Sequence, residues 1–307
     1  MIPAGYEKHF PVMLNEVLAA MQPKNGEIYV DATFGNGGYT EALLKAADCK
    51  VIALDRDPNV KARAEELKNL YGDRFEFRAG QFGDFAKLVT EPVNGAVFDI
   101  GVSSMQLDNA ERGFSFGKDA PLDMRMSCLG LSAADLVNDM PEKELADLIY
   151  KYGEERKSRQ IAAKIIEARK TAPIATTKQL AELIYTVIHK TPNAIDPATR
   201  TFQALRIAVN NELEELEQGL KGAANRLAPH GRLVIVTFHS LEDRIVKTFF
   251  KENAGPNVHI SKYAKEVPEL GDDVIFAETS KAIAASEEET AVNKRSRSAK
   301  LRWGIKR

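Results

Sequence analysis

Between Pro11 and Ser104 short apolar runs alternate with segments whose apolar residues recur at helical spacing. EIYVDATF precedes YTEALLKAA, KVIALDRD precedes NVKARAEELKNLY, RFEFRAGQF precedes GDFAKLV, and GAVFDIGVS closes the series. Strand and helix in this alternation predict an α/β fold, a mainly parallel sheet with helices on both faces. The pattern then breaks. Residues 105–131 read as an irregular loop, and beyond it AADLVNDM, PEKELADLIYKYG, EERKSRQIAAKIIEARK and TTKQLAELIYTVIH are helical in period. A longer run follows from Thr199, with Phe202, Leu205, Val209, Leu213, Leu216 and Leu220 on one stripe, which predicts one helix of several turns. It leads into GRLVIVTF, a buried strand of the first kind. The expected organisation is a discontinuous α/β domain, residues 1–105 and 219–307, interrupted by a helical domain at 106–218.

Composition narrows the class without changing this picture. Of 307 residues, 44% are hydrophobic and 28% charged, and the formal net charge is −2, the balance of an ordinary globular protein. No apolar run approaches the roughly 18 residues of a membrane span. The start, MIPAGYEKHFPVML, has polar residues where a signal peptide needs its apolar centre, so a cytoplasmic protein is expected. Cys49 and Cys128 stand far apart in no ligand spacing, so neither a disulfide nor a metal is expected.

Candidate chemistry starts at IYVDATFGNGGYT, where a strand runs straight into a glycine-rich turn. A triphosphate loop needs G-x-x-x-x-G-K-[ST], and no Lys-Ser or Lys-Thr follows Gly35. The dinucleotide fingerprint ends in Gly or Ala, where this chain has Thr40. Asp31 ends the first strand, and Asp55 ends the next, at the place where a doubly wound sheet puts a ribose-binding carboxylate. Acid, glycines and second acid together fit S-adenosylmethionine (AdoMet) better than NAD, although a simple tight turn would also use these glycines. Asp99 leaves the fourth strand at the same sheet edge. There it could accept a hydrogen bond from an exocyclic amine and aim it at a methyl donor, or merely cap a helix.

The motifs HFPVML, VDATFGNGG, LDRDP, DIGVSSMQLD, ERGFSF, PLDMRM, YGEER, ATRTFQALRI, FHSLEDRIVK and RSAKLR resemble those of the ribosomal small-subunit RNA methyltransferase H (MraW) family, from His9 to Arg302. That resemblance implies a Rossmann-like class I AdoMet-dependent methyltransferase with an inserted all-helical domain. It implies N4-methylation of a cytidine in the decoding region of 16S rRNA, in naked rRNA or the assembled 30S subunit. Carried over by position, it implies AdoMet contacts from Gly37, Gly38, Tyr39, Asp55, Phe82, Asp99 and Gln106. The chain departs from the family at Tyr39, usually His, at Met105, usually Pro, and at Asn293-Lys294-Arg295, usually Asn-Pro-Arg.

Other stretches carry two readings each. Arg112, Phe114 and Phe116 of ERGFSF either clasp a flipped base or anchor their loop. Arg200, Gln203, Arg206 and Asn210 share a polar helix face, which either meets RNA or is simply solvated. Ser240 to Asp243 is spaced as a capping box, with His239 lining the pocket as a second possibility. The basic tail NKRSRSAKLRWGIKR suits phosphate or is a terminal strand with charged flanks. Two further classes stay open beside the methyltransferase: an RNA-binding assembly factor that holds AdoMet as a structural ligand, and a nicotinamide oxidoreductase. Thr40 and the lack of a proton-relay pair disfavour the oxidoreductase.

Overall fold

A computed structural model describes residues 11–192, 194–255 and 274–307; His9 and Phe10 of the first motif lie outside them. The chain divides into two compact units, Met1–Gly101 with Leu213–Arg307, and Val102–Glu212. In chain order the elements are α1 (Leu14–Met21), β1 (Ile28–Asp31), α2 (Gly38–Ala46), β2 (Lys50–Asp55), α3 (Lys61–Tyr71), β3 (Phe75–Ala79), α4 (Phe85–Leu88) and β4 (Val93–Asp99). The second unit holds α5 (Ser104–Asp108), α6 (Ala133–Asp139), α7 (Glu142–Gly153), α8 (Ser158–Arg169), α9 (Thr177–Val187) and α10 (Ala198–Asn210). The first unit resumes with α11 (Glu212–Arg226), β5 (Leu227–Thr237), α12 (Ser240–Asn253), β6 (Phe276–Thr279), β7 (Ile283–Ala284), α13 (Glu287–Val292) and β8 (Lys300–Lys306).

The sheet runs β3-β2-β1-β4-β5-β8-β6, with β7 paired to β8. Strands β1 to β5 pair in parallel, and β8 is antiparallel to both β5 and β6. Helices cover both faces of such a sheet, so its strands are apolar on both sides; in β4, Ala96, Val97 and Phe98 are wholly buried. The order reverses between β1 and β4, and an open α/β sheet leaves a ligand crevice outside the carboxyl ends at that point. Asp31 and Asp99 stand at those two ends.

Two sequence expectations need correction here. The run from Thr199 is two helices, because Asn211 adopts the left-handed conformation (φ 50°) that Asn tolerates, and ends α10. The apparent single stripe also serves two cores. Phe202 and Leu205 pack among the second unit's helices, whereas Leu216, Leu220, Ala223 and Ala224 pack against the sheet. The second crossing between units therefore falls at 212/213, not at 218/219 inside α11. The first falls at 101/102, because DIGVSS leaves the sheet directly after Asp99.

Within the second unit the expected loop 105–131 starts with a short helix. Ser103 and Gln106 form a reciprocal capping box, the S-x-x-Q spacing that starts α5. Of the polar face of α10, Arg200 is exposed, but the other three residues have partners within the protein. Asn210 is buried, receives Met126 N–H at 2.8 Å and donates to Met124 O at 2.7 Å, and Gln203 donates to Tyr152 O at 2.9 Å. Arg206 meets Glu212 through two contacts, at 2.8 and 2.9 Å. Those polar atoms are satisfied by loop backbone at Asn210, by a carbonyl of α7 at Gln203 and by a carboxylate at Arg206, as buried polar groups must be. The basic tail forms β8, where Arg302 and Lys300 both meet Asp243 and Lys306 donates to Ala224 O and Leu227 O.

Candidate functional site

At the end of β1 the Asp31 carboxylate, fully buried, closes the glycine turn. Its Oδ2 receives the Thr40 N–H at 3.1 Å and the Thr40 hydroxyl at 2.8 Å, and its Oδ1 receives Thr33 N–H at 3.2 Å. Thr40, which spoils a dinucleotide fingerprint, is thus the partner that fixes the start of α2. Asp55, half-buried at the end of β2, receives Gly35 N–H at 2.8 Å on one oxygen and Asp57 N–H at 2.8 Å on the other. Each carboxylate oxygen keeps further lone-pair capacity for a ligand hydroxyl.

The glycines answer first to what lies behind the turn. Gly37 has φ +76°, and a Cβ there would come within 2.8 Å of Phe34 and 2.9 Å of Leu67. A Cβ on Gly38 would come within 2.3 Å of Pro11. Tyr39 is buried and its hydroxyl donates to Val12 O, so its side chain anchors the segment before α1. What residues 37–39 present forward is backbone, including the first N–H groups of α2, which have no intrahelical partner by geometry.

Asp99 completes the edge. Its backbone N–H donates to the Thr33 hydroxyl at 2.7 Å, which ties β4 to the turn after β1. Its Oδ1 is closed to water and has no hydrogen-bond partner among the described residues. Burial first, then the charges of Asp31 and Glu242, raise its carboxyl to about 8. Burial, only partly offset by the Thr40 and Thr33 hydrogen bonds, raises Asp31 to about 6. Burial likewise raises Asp55, against the pull of two backbone N–H groups.

Beyond β5, His239 and not Ser240 caps α12. His239 Nδ1 accepts Glu242 N–H at a long 3.4 Å, and Glu242 Oε2 takes the N–H groups of Phe238 (2.7 Å) and His239 (3.2 Å). An imidazole can accept at Nδ1 as a Ser hydroxyl would, which moves the box back one residue from the expected Ser240–Asp243. Phe82 is half-buried and sits edge-on to Phe98 at 5.7 Å. Next to it a second buried pair braces the site: Arg56 lies 2.8 Å from Glu215, whose other oxygen is 3.5 Å from Gly83 N. Sequence reasoning missed Glu242, Arg56 and Glu215, and of these only Glu242 carried a signal, three residues after a residue able to cap.

In the second unit Gln106 spends its side-chain oxygen on Ser103 N–H at 3.0 Å. Arg112 donates to the carbonyls of Arg125 and Met126, both at 2.9 Å, Phe114 is buried, and Phe116 packs edge-on to Phe202 at 4.9 Å. Those three contacts are what the anchoring reading of ERGFSF describes. Arg200 is exposed, within 3.4 Å of Glu154 O. Among the described residues no group of three or more His, Cys, Asp or Glu could hold a metal ion, and no helix is long and apolar enough to cross a membrane.

The donor set fits a nucleoside that carries a positive charge. Asp31, Asp55 and Asp99 place three acids at the strand ends, groups that disfavour the pyrophosphate of a dinucleotide and that a bound sulfonium holds in their ionised form. Asp99 Oδ1, desolvated and without a partner, lacks the favourable contact that such a cation or an N–H donor supplies. Comparison with known proteins agrees. The MraW methylase family model matches residues 6–307. Ribosomal RNA small subunit methyltransferase H of Rickettsia felis is 56% identical over 298 residues, which cover 96% of this chain and 97% of that one. Its namesake in Rickettsia massiliae is 57% identical over the same shares, and that of Rickettsia akari is 55% identical over 98% of this chain and 99% of its own. The chain belongs to the MraW methylase family, and S-adenosylmethionine is its methyl donor.

Proposed function

We propose that the protein methylates N4 of a cytidine in the decoding region of small-subunit rRNA, with Asp99 as the group that receives the amine. The names of its relatives support the rRNA substrate. The observation that carries the choice of an amine is Asp99 itself: a half-buried acid at the carboxyl edge, with Oδ1 desolvated and without a partner. A carboxylate so placed accepts an N–H and stabilises the positive charge that an amine develops as its bond to carbon forms.

Bound AdoMet supplies the electrophilic methyl group. Asp55 holds the ribose hydroxyls with the lone pairs left over from Gly35 and Asp57, and the backbone of Gly37, Gly38 and Tyr39 lies along the rest of the nucleoside. Phe82 would lie near the adenine. Asp99 orients the exocyclic amine, whose lone pair is otherwise delocalised into the base. The target cytosine must leave its stack to reach this edge. The helical unit, Val102–Glu212, recognises the RNA, with Arg200, Arg206, Arg112, Phe114 and Phe116 as its candidates and His239 at the sheet edge. Of these, Arg200 is the exposed cation; Arg206 and Arg112 reach RNA only by exchanging existing partners.

Incubation with methyl-labelled AdoMet and undermethylated 30S subunits or naked 16S rRNA, followed by nucleoside analysis, tests this reading. The expected product is N4-methylcytidine at one decoding-region position. Label in any other nucleoside, or none on either substrate, overturns it.

A further inference from the structure

The motif YGEER, Tyr152 to Arg156, spans the end of α7 and the turn into α8. That turn is fixed from inside the helical unit. Glu154 takes the left-handed conformation (φ 50°) and ends α7. Glu155 is buried; its Oε1 accepts Lys157 N–H at 2.8 Å, and its carbonyl accepts Ser158 N–H at 3.2 Å. Behind the turn lies α10. A Cβ on Gly153 would come within 2.5 Å of Arg200 O, so glycine is what lets the two backbones approach, and Gln203 donates to Tyr152 O at 2.9 Å.

The outer side of this frame is basic. Lys151, Arg156, Lys157, Arg159 and Arg200 are all exposed, beside the acids Glu154 and Glu155, of which Glu155 is buried. Lys151 Nζ lies over the Tyr152 ring at 4.9 Å, Lys157 Nζ donates to Val187 O at 3.0 Å, and Arg200 reaches Glu154 O at 3.4 Å. These partners carry no charge. Arg200 does approach the Glu155 carboxylate, at 3.9 Å, which is too long for a hydrogen bond. The Arg156 and Arg159 guanidinium groups have no partner among the described residues. Elsewhere in the unit exposed cations face carboxylates, as Lys164 faces Glu167 at 2.7 Å and Lys190 faces Asp196 at 3.2 Å. A merely solvated surface intersperses the two signs. Here they are segregated, because the exposed acids of α7, Glu142, Glu144 and Asp147, lie towards its other end.

We infer that the α7–α8 turn, with Arg156 and Arg159 at its centre and Lys157 and Arg200 beside them, holds the sugar–phosphate backbone of the RNA. Uncompensated cations on a rigid turn select a polyanion, and a guanidinium matches two phosphate oxygens with parallel N–H groups. The inference rests on rRNA as substrate and deepens the role proposed for the helical unit. The cations that grip the strand are these, whereas Arg112 and Arg206 already have partners within the protein.

Salt dependence tests it. Binding of the full-length protein to naked 16S rRNA is measured from about 50 to about 300 mM KCl. The proteins compared are wild type, Arg156→Ala/Arg159→Ala, Arg156→Lys/Arg159→Lys and a control, Lys143→Ala/Lys170→Ala, which removes two exposed cations outside the turn. Each phosphate contact contributes about 0.7–0.9 to the slope of log affinity against log salt, so the alanine pair should flatten it by roughly 1.5 and weaken binding about 10- to 100-fold at ~100 mM KCl. The lysine pair keeps both charges and should retain most of the slope, and the control should change it by less than about 0.5. In the alanine pair KM for RNA should rise, while AdoMet affinity and the single-turnover rate at saturating RNA stay at wild-type values. Neither arginine has a partner to lose, so melting temperatures should match. An alanine pair with wild-type slope and affinity overturns the inference, and so does a control that loses as much. The slopes need no methylated product, so absence of N4-methylcytidine sinks the proposed reaction separately from this surface.

Discussion

Asp99→Asn should make the protein more stable while it disables it. The wild-type carboxyl is raised from 3.8 to about 8, first by burial and then by Asp31 and Glu242. In the unfolded chain the same group ionises near its ordinary value, so between these limits folding must take up a proton. A group whose folded value is raised contributes stability that is full below the unfolded value and is lost as pH rises towards the folded one. At pH 7 the span is about 3 units, which at 1.36 kcal/mol per unit sets a ceiling of ~4 kcal/mol. Solvent reaches part of this half-buried side chain, and that screening brings the expected gain to ~1–2 kcal/mol. Asparagine has the same shape and no proton to take up, so it escapes the whole cost.

Thermal melts of both proteins without AdoMet, at half-unit steps from pH 5 to 9, check the magnitude and the sign. The variant should melt higher at pH 7 by roughly 2–6 °C for a protein of this size. Its advantage should grow from pH 5 to about 8 and stay flat above. Asp31 and the other acids titrate in both proteins and largely cancel in the difference. A difference that is constant across the range, or that shrinks with rising pH, refutes the electrostatic account of this site.

AdoMet binding should release close to one proton at pH 7, because a sulfonium favours the ionised form of Asp99; calorimetry in buffers of different ionisation enthalpy counts it, and a count of zero contradicts the placement. Asp55→Ala should weaken AdoMet by ~1.5–3 kcal/mol, the scale of a hydrogen bond to a charged group, and unchanged affinity in a folded variant removes Asp55 from the site. Arg206→Ala leaves the buried Glu212 carboxylate without its two contacts and should destabilise the protein by about 3 kcal/mol. If the variant instead keeps its melting temperature and loses only RNA affinity, Arg206 belongs to the RNA face.

The strands and the acids that end them were legible because a parallel sheet requires continuous apolar runs, and an acid at the end of such a run has few structural reasons to be there. Asp31 and Asp99 stood out for that reason. Helix faces misled where one period continued through two cores. Leu205 and Leu216 differ by eleven residues, three helical turns, and nothing in that spacing records that Asn211 turns the chain between them. Polar residues on α10 misled in the same way, since a side chain that meets loop backbone and one that meets water look identical in the sequence. The buried Arg56–Glu215 pair joins positions 159 residues apart, a separation at which no local pattern operates. Glu242 was nearer to legible. Its three-residue spacing from His239 is that of a capping box, and only the habit of expecting Ser at the first position hid it. Glu242 thus lies where a helix start offers a buried carboxylate two backbone N–H groups from its own turn, whereas Asp31 and Asp55 at the strand ends each draw one of theirs from farther along the chain.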